Sequence, residues 1–414
     1  MRQQKIAIIG SGMAGLAAAW YLGDKHHVTL LERQPRIGIG AHRVDLDGGA
    51  VDVPLRVIYP GYYQALMRLF ADAGIALQPL DASLSFAQWG GDSYFRYRNT
   101  RVLGRTVPWM PPTVALQPDA LRILRDLGRL MVQMPLALAS GTLQGTTLGD
   151  WLDGQGYSRV FVDGFLVPCF AGINTASHAA VRAYPATTIA QYFTPGFLLS
   201  PVYRAVGGAT AIADALSQRI AKVQLNADIA RVERTPDGVR VQHTDGHTQH
   251  FDALIFGTQA NQVLPMLSDA SREERTVLGG FRYDSVRILM HHDTRLAPKH
   301  QRDWAPVNYL LDPAWDRPMV SIWVNRLLPD YQSERPVFQT LNPFEEPDAA
   351  TVLQDTTLQR PLVGLDTAKR LQRLDALHAQ DGRCVFFCGS YAAQGIPLLE
   401  SAVASARAVA GLVG

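Results

Sequence analysis

Residues 6–32 read IAIIGSGMAGLAAAWYLGDKHHVTLLE: an apolar run, a knot of glycines, and a second apolar run that closes on an acid. Gly10, Gly12 and Gly15 keep the spacing G-x-G-x-x-G directly after one predicted strand, and they open a predicted helix from Met13 to Leu22. Each glycine answers a separate steric demand. Gly10 permits the sharp turn, Gly12 lets the backbone approach a pyrophosphate, and Gly15 lets helix and strand pack closely. The start of the helix, at Met13 and Ala14, presents free N–H groups and a partial positive charge to phosphate. Glu32, 17 residues beyond Gly15, ends the second strand, where a carboxylate accepts hydrogen bonds from ribose hydroxyls. It would repel a 2′-phosphate, which disfavours NADP. A glycine turn can serve packing alone; strand, helix and acid in register make dinucleotide binding the stronger reading.

The chain has 414 residues, enough for a sizeable core and two domains. At 47% hydrophobic and 18% charged it has the composition of an ordinary globular protein. The formal net charge is +2, and 34 arginines against 5 lysines form no dense basic run, so nucleic acid is not an expected partner. Cys169, Cys384 and Cys388 keep no metal-ligand spacing and read as buried thiols in a reducing compartment. Strand-forming KIAIIG leads straight into the glycine knot, with no secretory signal before it. No stretch of about 18 apolar residues occurs. The nearest, LMVQMPLALA at 130–139, is interrupted by Gln133 and Pro135. A cytoplasmic protein without a transmembrane segment is expected.

Segments with cofactor-domain character recur along the chain. GGATAIADALSQRIA reads as a turn and a helix, VQLNADIARVERTPDGVRVQHTDG as a small meander with a DG turn, and FDALIFG as a buried strand. Between them lie SLSFAQWGGDSYFRYRN, read as strands and turns, and a helical stretch after Pro118. SRVFVDGFLVPCFAGINT has large apolar residues without a clean period, which suits a cavity wall or plain core. Beyond about residue 280, strands such as SVRILMHHD and PMVSIWVN alternate with proline-rich loops.

Two features favour FAD over NAD. ERQPRIGIGAH supplies Arg33, Arg36 and a second glycine bend at Gly38 and Gly40. At the far end, GSYAAQGIPLLESAVASA puts Gly389 and Ser390 at a strand end, before a loop and a helix starting near Leu398. A helix N-terminus aimed at the flavin pyrimidine would stabilise the negative charge gathered on reduction, by about 0.3–1 kcal/mol exposed and up to ~2 when partly buried. A terminal helix that only packs a sheet is the alternative.

IIGSGMAGLAAAWYL, AHRVDLDGGAVDV, TLGDWLDGQGYS, YRAVGGAT, FDALIFGTQANQVLPMLSDASREERTVLGGFRYDS, WVNRL, FQTLNP and FFCGSYAAQGIP together carry a family likeness over nearly the whole chain. The sequence resembles the FAD-dependent amine oxidase and phytoene desaturase superfamily, and within it the bacterial branch of predicted NAD/FAD-binding proteins. The resemblance implies an α/β fold: a Rossmann-like FAD-binding domain (parallel sheet plus β-meander) interleaved with a mixed α+β substrate domain. Residues 1–80, 204–280 and 381–414 fall to the first domain, 81–203 and 281–380 to the second. It further implies non-covalent FAD. Gly10, Gly12, Met13, Ala14, Gly15, Glu32 and Arg33 would hold the ADP half. Gly38 and His42 match a second phosphate-side loop, and the backbone at Ile229 would meet the adenine. Gly389, Ser390, Leu398, Leu399 and Ser401 would hold the ribityl chain and pyrimidine end, with Arg56 and Val57 passing close to the flavin. The sequence departs from the branch at Gly38-Ile39, where two glycines are usual. Val53-Pro54-Leu55-Arg56 replaces Thr-Gly-Phe, and Pro397 to Ser401 replaces His-Glu-Asp-Gly.

A flavin carries the redox chemistry, so the protein needs a pocket and at most one base. The candidates are Arg56, able to pair with a substrate carboxylate or phosphate, His292, and Tyr309, each with a packing or salt-bridge alternative. His291 and His292 cannot both face one side of a strand. Lys299 is the one lysine in a region where the superfamily places a lysine near the flavin. The substrate half is rich in aromatic and leucine side chains, as in QYFTPGFLLSPVY, which favours an apolar small molecule. The expected function is an FAD-dependent oxidoreductase, a dehydrogenase, desaturase or oxidase. It would take hydride from a C–H bond of such a substrate, an acyl chain among the candidates, with oxygen or another electron acceptor. An amine or amino acid oxidase with Arg56 as carboxylate clamp, a flavin-dependent double-bond isomerase and a non-catalytic flavoprotein remain open.

Overall fold

The computed structural model describes residues 3–102, 105–198 and 200–413. The quoted stretch forms strand Lys5–Ile9, helix α1 (Met13–Gly23) and strand His27–Leu31. Both strands bury every residue after the first, as expected of strands covered on two faces. They lie at the centre of a five-stranded parallel sheet in the order 222–224, 27–31, 5–9, 253–256, 385–387. Strands 253–256 and 385–387 join because each is a short, fully buried apolar run, whereas 222–224 (KVQ) is a largely exposed edge.

Helix α1 is buried nearly all round, which its alanines and glycines permit. One side meets the sheet and the other the last helix. An antiparallel meander, Ile229–Thr235, Gly238–His243 and Thr248–Phe251, turns at Asp237-Gly238. Its apolar face joins the core on the sheet's other side. The stretch 223–224, read with the meander, instead pairs with His27–Leu31 as an edge of the parallel sheet.

The second sheet has eight strands in the order 352–361, 283–291, 338–341, 318–323, 307–311, 84–88, 93–102, 105–109. Helices are packed over it, including α2 (Pro118–Ala139), which continues through Pro135. The aperiodic stretch around residue 165 is helical, with a π turn at Val162–Leu166 leading into Val167–Asn174. The last helix is α3 (Leu399–Val413). No described helix is long and apolar enough to cross a membrane.

Candidate active site

A cavity of about 1580 Å³ lies between the two sheets. Pockets for single drug-sized ligands span roughly 300–1,000 Å³, so this one has room for a dinucleotide and a second molecule. The glycine turn forms one end, with Gly10, Gly12, Met13 and Ala14 in the wall. Gly12 caps α1 without any side-chain cap, and a Cβ added there would meet no protein atom within 4 Å. Gly10 adopts φ +95°. A Cβ on Gly15 would stand 1.9 Å from the Gly10 carbonyl oxygen. Gly15 therefore lies behind the wall: it holds helix against strand and does not face the cavity, a correction to its place among the cofactor contacts.

Glu32 is buried at the same end. Its Oε2 accepts from the Ser11 N–H at 2.9 Å and the Ser11 hydroxyl at 2.6 Å, and its Oε1 accepts from the Gln34 N–H at 2.9 Å. Ser11 Oγ in turn accepts the Gly38 N–H at 2.6 Å. The acid thus staples the glycine turn to the second glycine bend, a role the fingerprint does not reveal. A carboxylate oxygen has more than one acceptor position, so Oε1 keeps capacity for a hydroxyl.

Arg33, Gly38 and His42 continue this wall, and Arg56 and Val57 follow. Burial, then the charges of Arg56 and Arg33, lowers the His42 pKa. Arg56 donates to the Ile39 and Pro54 carbonyls and stands 3.8 Å from Asp52. It is both a cavity residue and a salt-bridge partner. Ile229 lines the cavity from the meander. At the far end Gly389, Ser390, Leu398 and Leu399 line it at the start of α3.

Ser401 does not. Its hydroxyl donates to the Ile396 carbonyl at 2.6 Å and the Gln394 carbonyl at 3.3 Å, because one turn into α3 its side chain points back over the preceding loop. Its neighbour Glu400 accepts the N–H groups of Ala65 at 2.7 Å and Leu66 at 2.9 Å, closing the start of helix Gln64–Asp72.

The remaining wall is mostly apolar. Tyr309 lies in it, buried and stacked on Phe86 at 4.7 Å, and burial drives its hydroxyl pKa well up. Cys169 also faces the cavity, its thiol held protonated by burial, whereas Cys388 is buried elsewhere and pushed up to about 12. His292 is not a cavity residue. It follows the end of strand Tyr283–His291, where its Nδ1 lies 2.8 Å from the Pro336 carbonyl. His291 is spent on Thr340 at 2.8 Å. Lys299 lines a separate depression beside Trp304 and Trp323. Among the described residues no lysine lines the main cavity.

Sequence reasoning missed Arg360. It lies opposite Asp284 in strand Val352–Pro361 and lines the cavity. Its Nε is buried without a partner among the described residues. Burial, then the nearby Arg56, lowers its pKa to about 10. No local signal separates it from the other arginines; only sheet register carries it to the cavity.

The residues fit a flavin dinucleotide. An open glycine cradle, an acid at ribose distance in sequence, cations beside the cradle and a second helix start at the far end share one continuous cavity. The model of the NAD(P)-binding Rossmann-like domain family matches residues 8–73. L-amino-acid oxidase of Pseudechis australis is 30% identical over 102 residues, a match spanning 24% of this chain and 18% of that protein. A CLA-producing fatty acid isomerase from P. acnes superposes with TM-score 0.68 at 17% identity, covering 98% of each chain. Cyclohexylamine oxidase from Brevibacterium oxydans does so at 0.62 and 14%, covering 100% of each. Putrescine oxidase bound to putrescine gives 0.64 and 14%, over 100% of this chain and 99% of that one. Fold and site thus define a protein built on a Rossmann-like dinucleotide-binding domain. Its fold is that of the fatty acid isomerase and the two amine oxidases above.

Proposed function

We propose that this protein is an FAD-dependent oxidoreductase acting on a C–H bond of an apolar substrate that carries an acid group. Residues 1–80, 204–280 and 381–414 would hold the cofactor, and 81–203 and 281–380 would shape the substrate chamber. When bound, FAD supplies hydride acceptance, with oxygen or another small oxidant as terminal acceptor. The observation that carries the reading is the cavity itself: a dinucleotide cradle opens into an apolar chamber whose strongest polar feature is Arg360, unpartnered at Nε and beside Arg56. A guanidinium half-buried in the wall with its Nε unpartnered would gain a charge-assisted hydrogen bond from a ligand carboxylate. The two arginines would orient the acid group while Tyr309, Cys169 and Leu358 exclude water from the reacting carbon. Gly10, Gly12 and the start of α1 would take the pyrophosphate, Glu32 the ribose, Ile229 the adenine, and the start of α3 the ring end. Cys169, the one cysteine in the described wall, is held protonated, which supports a non-covalent cofactor.

The test is anaerobic mixing of the yellow protein with a long-chain acid such as oleate and with its methyl ester. Bleaching of the flavin band by the acid supports a dehydrogenase. A shifted double bond without net bleaching or oxygen use would instead make the protein an isomerase, which the same cavity admits. Arg360→Ala should raise the apparent constant for the acid about 10- to 150-fold, from the 1.5–3 kcal/mol of a charged hydrogen bond. The ester should be unaffected. Equal losses for both would remove the clamp, and a colourless protein that refuses FAD would remove the whole reading.

A further inference from the structure

Helix α2 has two apolar faces. Ala120, Ile123, Leu130 and Met134 are buried. On the opposite side Leu121, Leu124, Val132 and Leu136 face outward, with Val132 62% and Leu136 64% exposed. A surface helix of a globular protein normally turns polar residues to that side. The stripe runs along 22 residues, about 33 Å of helix. At its N-terminal end it continues through Leu116, 75% exposed, to Trp109, 51% exposed, and Val107 on the edge strand Arg105–Trp109. Arg122, Arg125 and Arg129, spaced three and four apart, share this outward side, Arg122 paired with Asp119 and the other two sharing Asp126, so three cations stand against two acids. Residues 97–129 hold six arginines against two aspartates, in a chain whose whole formal charge is only +2.

We propose that this face docks on an anionic phospholipid surface. Tryptophan and leucines beside a row of arginines are the composition of a helix lying in the headgroup layer. A second copy of the chain is a poor occupant, since a twofold contact sets a patch against itself and would oppose the arginine rows. The cavity also reaches this hairpin. Side chains alternate along a strand, so Pro108 lines the cavity with its pairing neighbour Asn99, while Val107 and Trp109 point the other way. An apolar substrate would pass from the bilayer past this hairpin without crossing water. The docking does not depend on the reaction proposed above.

Co-sedimentation with vesicles of phosphatidylcholine, alone or mixed with phosphatidylglycerol, tests the proposal. The wild-type chain should partition onto the mixed vesicles, less so at high salt, and hardly onto neutral ones. Arg98→Gln and Arg122→Gln should each weaken partitioning roughly fivefold. The combined Leu121→Ser, Val132→Ser, Leu136→Ser variant should weaken it by roughly tenfold or more. All should keep the wild-type melting temperature and circular dichroism. Three results would overturn the proposal: no partitioning onto mixed vesicles at low salt, variants that partition like wild type, or a wild-type dimer by light scattering that the serine variant dissolves.

Discussion

Replacing Gly12 by alanine adds one methyl group at a point where the protein has nothing to collide with it. The backbone there, φ −68° and ψ −179°, suits alanine, and no protein atom lies within 4 Å of the new carbon. The stiffer unfolded chain favours alanine by about 0.4–1 kcal/mol and its poorer N-cap disfavours it by about as much, so the folded protein without cofactor should change little in stability. The methyl projects into the cavity, where the pyrophosphate would need the backbone. Crowding of that size costs roughly 1–3 kcal/mol, which weakens FAD binding by about 5- to 150-fold. Gly15→Ala has the opposite signature, since its methyl would sit 1.9 Å from the Gly10 carbonyl oxygen and 3.0 Å from its carbon, backbone that cannot move aside without opening the turn. It should lower stability with or without cofactor. Urea unfolding of both variants, paired with FAD titration by fluorescence quenching, separates the two effects. If Gly12→Ala binds FAD like wild type, the phosphates do not lie on this turn and the assignment of the cradle fails.

Other perturbations follow from the same structure. His291 and His378 are buried and held near pKa 4, chiefly by burial. The unfolded chain takes up these protons first, near its ordinary 6.5. Stability should therefore be full above that pH and fall between 6.5 and 4, by roughly 3 kcal/mol per histidine; His378→Gln should flatten the fall measured by urea titration. His292→Ala should leave turnover unchanged, because the ring lies outside the cavity, and a large loss in kcat would contradict its placement. Glu400→Ala removes the acceptor of two helix-start N–H groups and should cost about 0.5–2 kcal/mol in denaturant unfolding.

The dinucleotide cradle was legible because everything it needs is within 27 residues: two strand runs, three glycines and an acid. Physics at that range is local, a turn that only glycine makes and a strand too apolar to be exposed. The meander and the final strand-loop-helix were readable for the same reason. The outlying misreadings share another origin. Ser401 and His292 sit within a few residues of others that line the cavity or its sheet, but the direction of a side chain depends on what packs over it, here the loop 394–396 and the Pro336 carbonyl.

The sequence by itself determined that a strand, a glycine turn and a helix start stand in register and that apolar strands must be covered on both sides. Tertiary structure alone decided what faces the cavity opposite that cradle. Arg360 and Arg56 are some three hundred positions apart in the chain, and no periodicity links them. Both line one cavity because the fold closes on one space from either side, where a ligand of opposite charge gains from two cations at once.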